Sequence, residues 1–484
     1  KMRYHRLMPR FSEDLIDSLR KVNNLLFGSV LTAVDLKVYR GQILPKHSSG
    51  STADLFKGNR KYDRMQWTQR LEEYFPEGEH VYPNWRSYLE SHEEPLLEPG
   101  AELPVEVITV PKTLKTPRII AKEPTCMQYV QQGLLRSYTE EIGRDKLLTS
   151  LVGNLDQTPN QRLAQAGSLT GLLATLDLSE ASDRVSNLLV VRLLEQYPHL
   201  NGAVQACRST RAHVSGQVIN LSKFASMGSA LTFPIESMIF LSIVCSGICK
   251  ALNTRPTRRL IKSFLGQVRV YGDDIIVPVE FVPSVITELE TFGFRVNGSK
   301  SFWTGRFRES CGKEYYAGRD VSITRVRSRL PASRHDAVEL VSTVELRNHL
   351  SLRGLFPATV QYLDELIERI IPFPRVRSTS PILGKIDLDG VYDVTRTDPD
   401  LQRPLVKGAV ISAKIPVSRL DGWFALRKCL LRLDSLYGES ETSEEVIPYK
   451  RSRLDNLPVV GEDHLQYLGR PVSVDIKTRW ASPL

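Results

Sequence analysis

Apolar residues change their spacing along the chain, and each change marks an expected element. Leu172 to Leu178 (LLATLDL) is a nearly continuous apolar run of strand length and predicts a buried strand. Ser179 follows where a helix cap is expected, and Val185, Leu188, Leu189 and Leu193 recur at helical spacing. Val268 to Tyr271 and Ile275 to Val279 are β-rich runs on either side of Gly272-Asp273-Asp274, a pattern that predicts a hairpin with an acidic tip. Pro283 to Phe292 predicts a helix stopped by Gly293. This alternation fills the stretch from about 105 to 330 and implies an α+β architecture, a sheet with helices on one face.

After about 331 the pattern turns mostly helical, with Asp336 to Leu352, Thr359 to Ile371 and Leu420 to Leu436 the clearest stretches. Clusters of Pro, Gly, Ser and Asp predict breaks at Pro45 to Asp54, Ser91 to Pro104, Pro372 to Pro404 and Gly438 to Glu445. Met238 to Cys249 is the longest apolar run. It falls well short of the ~20 residues that span a bilayer, so a buried helix is expected and no membrane partner. Lys1 to Lys21 is basic without an apolar core, so no secretory leader is expected.

Composition narrows the class. The 484 residues are 41% hydrophobic and 25% charged, which excludes wholesale disorder. Net charge is +9, which suits a polyanionic partner without choosing between nucleic acid and a membrane surface. The six cysteines are too few and too scattered for a secreted disulfide framework, and reduced thiols in a cytoplasmic protein are expected.

Five groups of residues could carry chemistry. Asp273 and Asp274 put adjacent carboxylates at a turn, where they repel one another unless a cation such as Mg²⁺ or Mn²⁺ sits between them. An exposed turn has the same composition. Asp177 ends the apolar strand, where a carboxylate is costly unless paired or bound to metal, and Ser182 and Asp183 follow in the next helical turn. Ser226-Met227-Gly228-Ser229-Ala230-Leu231-Thr232 is a small-residue loop leading into a helix that carries Glu236. Its backbone N–H groups could meet a sugar or phosphate. Lys112, Lys115, Arg118 and Lys122 lie on a proline-stiffened segment suited to clamping a triphosphate. Finally, Asn297-Gly298-Ser299-Lys300 precedes the basic-aromatic stretch Phe307 to Tyr316, which could grip a nucleic-acid strand.

Taken in chain order, these groups resemble motifs F, A, B, C and D/E of viral RNA-dependent RNA polymerases. Asp156 to Arg162 (DQTPNQR), Asp177 to Asp183 (DLSEASD), Tyr271 to Pro278 (YGDDIIVP) and Phe307 to Lys313 are more closely similar to the replicase β subunit of single-stranded RNA bacteriophages, the leviviruses. The resemblance covers roughly 105–330. Two positions depart from the commoner positive-strand pattern. Ser182 stands where many relatives carry a second Asp in motif A, and Glu236 where many carry Asn in motif B.

The resemblance implies a right hand of fingers, palm and mostly helical thumb. Fingers would occupy 1–170, with the nucleotide-binding segment at 105–125. The palm would occupy 171–330, with a fingers insertion near 197–222, and the thumb 331–484. It implies two Mg²⁺ or Mn²⁺ ions on Asp177 and Asp273, with Asp274 supporting and the Leu178 carbonyl assisting. Lys112, Lys115, Arg118 and Lys122 would neutralise the NTP. Ser182, Asp183, Ser226, Gly228, Thr232 and Glu236 would line the nucleotide. Lys300 is the candidate general acid for pyrophosphate. The implied partners are RNA template and product, NTPs, host elongation factors Tu and Ts and an RNA-binding ribosomal protein, in the cytoplasm of an infected bacterium. A narnavirus-like replicase, a reverse transcriptase and a non-catalytic RNA-binding protein remain as alternatives.

Overall fold

The computed structural model describes residues 11–56, 58–63, 65–91, 95–110, 117–153, 156–437 and 473–484. These divide into two compact units. One comprises the described residues up to Ser322 together with Arg419 to Tyr437; the other comprises Ile323 to Ser418 with Ser473 to Leu484.

The first unit is built on a long N-terminal helix and three sheets. Helix Glu13–Tyr39 is capped by the Ser12 hydroxyl, which accepts from the Leu15 N–H, and Glu13 and Asp14 complement the positive end of its dipole. Strands β1 (Val105–Val110) and β2 (Arg118–Lys122) pair antiparallel. Strand β3 (Leu173–Leu176) comes next, then β4 (Arg211–Val214) and β5 (Gln217–Asn220). The order β2-β1-β4-β5 makes one sheet, with β1 and β4 parallel. Strands β6 (Arg269–Tyr271) and β7 (Asp274–Pro278) form the acidic hairpin, and β7 is the central strand of β3-β7-β6. Strands β8 (Phe307–Ser310), β9 (Lys313–Tyr316) and β10 (Arg319–Asp320) form the third sheet.

The expected strand at 172–178 is β3 plus a bridge from Leu178 to Val296. Its four residues, Thr175 among them, are all buried, as expected for a strand covered on both faces. Arg308, itself fully buried, donates from Nε to the Leu173 carbonyl at 2.5 Å and from Nη1 to the Phe307 carbonyl at 2.6 Å. The helix expected after Ser179 is broken. Ala181–Arg184 and Asn187–Leu193 are separate, because Val185 and Ser186 take extended backbone and Ser186 bridges to Lys223. Ser179 does not cap: the residue before the first turn is Glu180, in left-handed backbone.

Helix Thr232–Ala251 contains the long apolar run. Its most apolar window is long and apolar enough to cross a membrane, but 94% of that window is buried within the protein. It packs on helix Val282–Thr291: a Cβ on Gly247 would lie 3.0 Å from the Val285 Cα, and the Ser246 hydroxyl donates to the buried Glu288 carboxylate at 2.8 Å. One continuous core joins these helices to Glu13–Tyr39, Thr125–Arg144 and the β3-β7-β6 sheet.

The second unit contains the expected helices at Ala337–Leu352 and Pro357–Glu368. A sheet that the apolar spacing did not announce joins them. Strand β13 (Pro404–Lys414) pairs with β11 (Ile382–Leu383), β12 (Arg396–Thr397) and β14 (Ser473–Ala481). The third expected helix, Gly422–Tyr437, belongs to the first unit. The expected loop at Gly438 to Glu445 lies outside the described residues.

Candidate active site

The site begins with the register of one sheet. Strand β3 pairs antiparallel with β7, and the last pair of the ladder is Leu176 with Ile275. One residue further on, Asp177 comes level with Asp274 across the two strands. Tyr271 pairs with Asp274, so Gly272 and Asp273 make a two-residue turn. Gly272 has φ +57°, and Asp273 does not share the positive sign, which is the type II′ requirement of Gly at the first turn position. The first helical turns of Thr232–Ala251 cover this hairpin. The Gly272 N–H donates to the Ser237 hydroxyl at 3.1 Å, and a Cβ on Gly272 would meet the Phe233 ring at 2.5 Å.

Each strand-borne carboxylate is held from a different side. Asp177 accepts from the Asn297 amide at 2.9 Å, its carbonyl accepts from the Asn297 N–H at 2.8 Å, and its own N–H donates to the Ser301 hydroxyl at 3.0 Å. Asp274 accepts from the Cys311 N–H at 3.2 Å and the Ser310 hydroxyl at 3.3 Å, at the β8–β9 turn.

The electrostatics record the crowding. Asp274 is pushed up to about 6, first by burial, then by the charge of Asp273, and further by Asp177, against the pull of the Cys311 N–H. Glu236 is held well above the usual carboxylate range by burial and by Asp273. Asp177, Asp273, Asp274 and Glu236 therefore share one electrostatic neighbourhood. A cation there would lower the cost of ionising them, and carboxylate oxygens are the donors that Mg²⁺ and Mn²⁺ prefer. Among the described residues, no three His, Cys, Asp or Glu side chains close on a point as a finished ligand set. The residue types fit hard divalent cations, and the charge crowding gives the reason a cation would settle there.

Other expected residues fall around this core. Ser226 is buried, and its carbonyl accepts from the Thr232 hydroxyl at 2.8 Å, which closes the small-residue loop on itself. Gly228, with φ +128°, lies against β2: a Cβ there would sit 2.0 Å from the Ala121 carbonyl oxygen. The neighbouring Met227 carbonyl accepts from the Ala121 N–H at 2.8 Å. The loop is thereby fastened to the strand that carries Arg118 and Lys122. Arg118 is exposed and Lys122 half-buried; Lys112 and Lys115 lie outside the described residues. Ser182 is half-buried, and the exposed Asp183 is paired with Lys223. Leu178 is buried and follows Asp177 directly. Lys300 is exposed, on the turn that starts at Asn297, and its N–H donates to the Asn297 carbonyl at 3.0 Å.

Asn297, Ser310 and Cys311 fell inside candidate segments without this role being read for them, and Ser237 and Ser301 were passed over; together they hold the carboxylates and their turn. The Asn-Gly step at 297 was the available signal, since it marks a turn whose side chain seeks a nearby partner.

A sequence model described as RNA replicase, beta-chain, matches residues 104–344. The RNA-directed RNA polymerase beta chain of Enterobacteria phage fr is 42% identical over 306 residues, covering 62% of this chain and 49% of the relative. The RNA-directed RNA polymerase subunit beta of Escherichia virus Qbeta is 40% identical over 313 residues, covering 64% and 49%. The matched region thus spans about half the length of these relatives. Among solved structures, an "RdRp complex" aligns with TM-score 0.44 at 10% identity over 79% of this chain and 36% of its own. The RNA-dependent RNA polymerase of a human picorbirnavirus, as an insertion-loop deletion mutant, aligns with TM-score 0.37 at 11% identity over 55% and 57%.

Proposed function

From a chain whose residues 104–344 belong to the RNA replicase β-chain family, we propose an RNA-dependent RNA polymerase that copies a single-stranded RNA phage genome from NTPs. One observation carries this reading beyond the family. Asp177 stands beside Asp274 across a buried strand pair, with Asp273 on the adjoining turn and all three in one electrostatic neighbourhood.

In this reading Asp177 and Asp273 hold two divalent cations, with Asp274 and the Leu178 carbonyl in support. The bound ions would lower the pKa of the attacking 3′-hydroxyl and stabilise the leaving pyrophosphate. The chain's own residues position the reactants. Asn297 and Ser301 fix Asp177, and the Ser310–Cys311 turn fixes Asp274. The loop Ser226–Thr232 presents its backbone to the nucleotide, with Ser182, Asp183 and Glu236 also lining it. Lys112, Lys115, Arg118 and Lys122 neutralise the triphosphate, and Lys300 gives its proton to the departing pyrophosphate.

The fingers are assigned to 1–170, the palm to 171–330 and the thumb to 331–484. The pairing of β4 with β1 supports treating 197–222 as a fingers insertion, since it places that segment in the sheet of the basic strand. RNA template and product are the macromolecular partners. Host elongation factors Tu and Ts and an RNA-binding ribosomal protein are proposed from the family resemblance, in the cytoplasm of the infected bacterium.

The test is incorporation of labelled NTPs on a single-stranded RNA with Mg²⁺ or Mn²⁺, by the chain alone and with Tu and Ts. Template-dependent use of NTPs and not dNTPs is expected. Use of dNTPs would point to a reverse transcriptase, and salt-sensitive RNA binding without synthesis in any mixture to a non-catalytic role.

A further inference from the structure

Gln131 lies on helix Thr125–Arg144 and is 1% exposed. Its side-chain oxygen accepts from the Ser229 hydroxyl at 3.0 Å and from the Ala230 N–H at 3.1 Å. Its amide nitrogen donates to the Cys207 carbonyl at 2.8 Å. This set fixes the orientation of the amide, because a flipped side chain would turn its NH₂ toward the Ala230 N–H and its oxygen toward a carbonyl.

The bonds have an uneven consequence. The front of the loop is tied to β2 through Met227, and the loop is closed internally by Thr232 on Ser226. Gly228, Ser229, Ala230 and Leu231 lie between those ties; the Ser229 N–H donates to the Ser226 carbonyl at 3.0 Å, and one buried side chain holds both the Ser229 hydroxyl and the Ala230 N–H. Gly228, next in line, has the backbone freedom to let the loop shift, with φ +128°. A small-residue loop with a glycine hinge needs an external clamp to present one geometry, and Gln131 is placed to be that clamp.

We infer that Gln131 is a positioning residue for the incoming nucleotide, setting the conformation of Ser226–Thr232 from behind. The inference rests on the polymerase reading above, in which this loop lines the nucleotide. It has a specific kinetic form. Without the clamp the loop must be ordered when the nucleotide binds, so the loss falls on NTP affinity. The carboxylates on β3 and the β6–β7 hairpin are supported independently by Asn297, Ser301, Ser310 and Cys311, so turnover at saturating NTP is largely kept.

The test uses the full chain on saturating RNA template with Mg²⁺, titrating NTP for wild type, Gln131→Met, Ser229→Ala and the double variant. Thermal melting and RNA affinity are measured in parallel. Gln131→Met is expected to raise the NTP KM about tenfold and to leave kcat within about threefold. RNA affinity is expected to be unchanged, and the double variant no worse in KM than Gln131→Met, because both substitutions remove the same clamp. An unchanged KM would overturn the inference. So would a kcat loss that tracks the loss of folded protein at unchanged KM, or KM effects that simply multiply. If wild type incorporates NTPs and Gln131→Met matches it, the clamp alone fails. If wild type incorporates nothing on any template, the polymerase reading fails and takes the clamp with it.

Discussion

Asn297 gives Asp177 both its backbone and its side-chain N–H, the first to the carbonyl at 2.8 Å and the second to the carboxylate at 2.9 Å. The pair is separated by 120 residues in sequence, and its effect is to fix one rotamer of the carboxylate at the end of β3. A ligand aimed in advance binds its ion without having to order itself first.

Asn297→Ala is therefore expected to raise the Mg²⁺ concentration needed for half-maximal incorporation by about 10- to 100-fold, the range typical of residues that orient metal ligands. Excess Mg²⁺ should restore part of the rate. A Mg²⁺ midpoint equal to that of wild type would show that Asp177 needs no such support.

The acidic turn has no room for a side chain. Gly272 combines φ +57° with a Phe233 ring that a Cβ would meet at 2.5 Å. Gly272→Ala should cost about 1–3 kcal/mol of stability through strain and overpacking, and should displace Asp273 enough to lower incorporation more than the stability loss explains. Chemical denaturation and single-nucleotide incorporation, measured on the same preparation, check both parts.

These two residues also mark what could be read from the sequence. The β6–β7 hairpin was legible because its two β-rich runs and its Gly-Asp-Asp turn are contiguous. Strand β3 was legible because Leu172 to Leu178 is a nearly continuous apolar run of strand length. Their pairing was not legible, since nothing local ties Asp177 to Asp273, 96 residues later; only the resemblance supplied it. Asn297 and Cys311 escaped for a related reason, since their role depends on which strand they meet. The sheet of the second unit escaped because β13 and β14 depend on one another across the chain. In addition, β13 opens on Pro404 and carries Gly408, whose missing side chain admits Ile382: a Cβ there would lie 2.3 Å from that residue. The broken helix at Val185–Ser186 escaped because Val185, Leu189 and Leu193 keep helical spacing across the break.

Glu123 gives the fold a pH dependence. Burial pushes its carboxyl up to about 7, against the pull of Ser209, Gln131 and Arg208. The unfolded chain releases this proton near the ordinary carboxylate value, about 4.3. Between those values the folded state holds one more proton than the unfolded state, so stability falls as pH rises. The full loss by pH 8 is about 4 kcal/mol. Denaturant midpoints should drop between pH 5 and pH 8, and Glu123→Gln should flatten that drop and exceed wild type at pH 8. A Glu123→Gln variant with the same pH slope as wild type would assign the effect to other groups.

Arg308 is fully buried, and its Nε and Nη1 donate to four main-chain carbonyls, those of Leu173, Thr304, Gly305 and Phe307. Arg308→Met would leave these acceptors without that donor while relieving a buried charge. The lost bonds outnumber what one relieved charge returns, so destabilisation of about 2–4 kcal/mol is expected. Thermal melting checks it, and a melting temperature at or above that of wild type would show that the desolvated charge dominates.

The central claim is that Asp177, Asp273 and Asp274 form the reacting centre and do not serve to stabilise the hairpin. The most direct measurement compares wild type with Asp273→Asn for single-nucleotide incorporation and for RNA affinity, at matched template occupancy and with Mg²⁺ present. Incorporation is expected to vanish while RNA affinity stays within about twofold, because only the metal-dependent chemistry is removed. Near-normal incorporation by Asp273→Asn would contradict it outright.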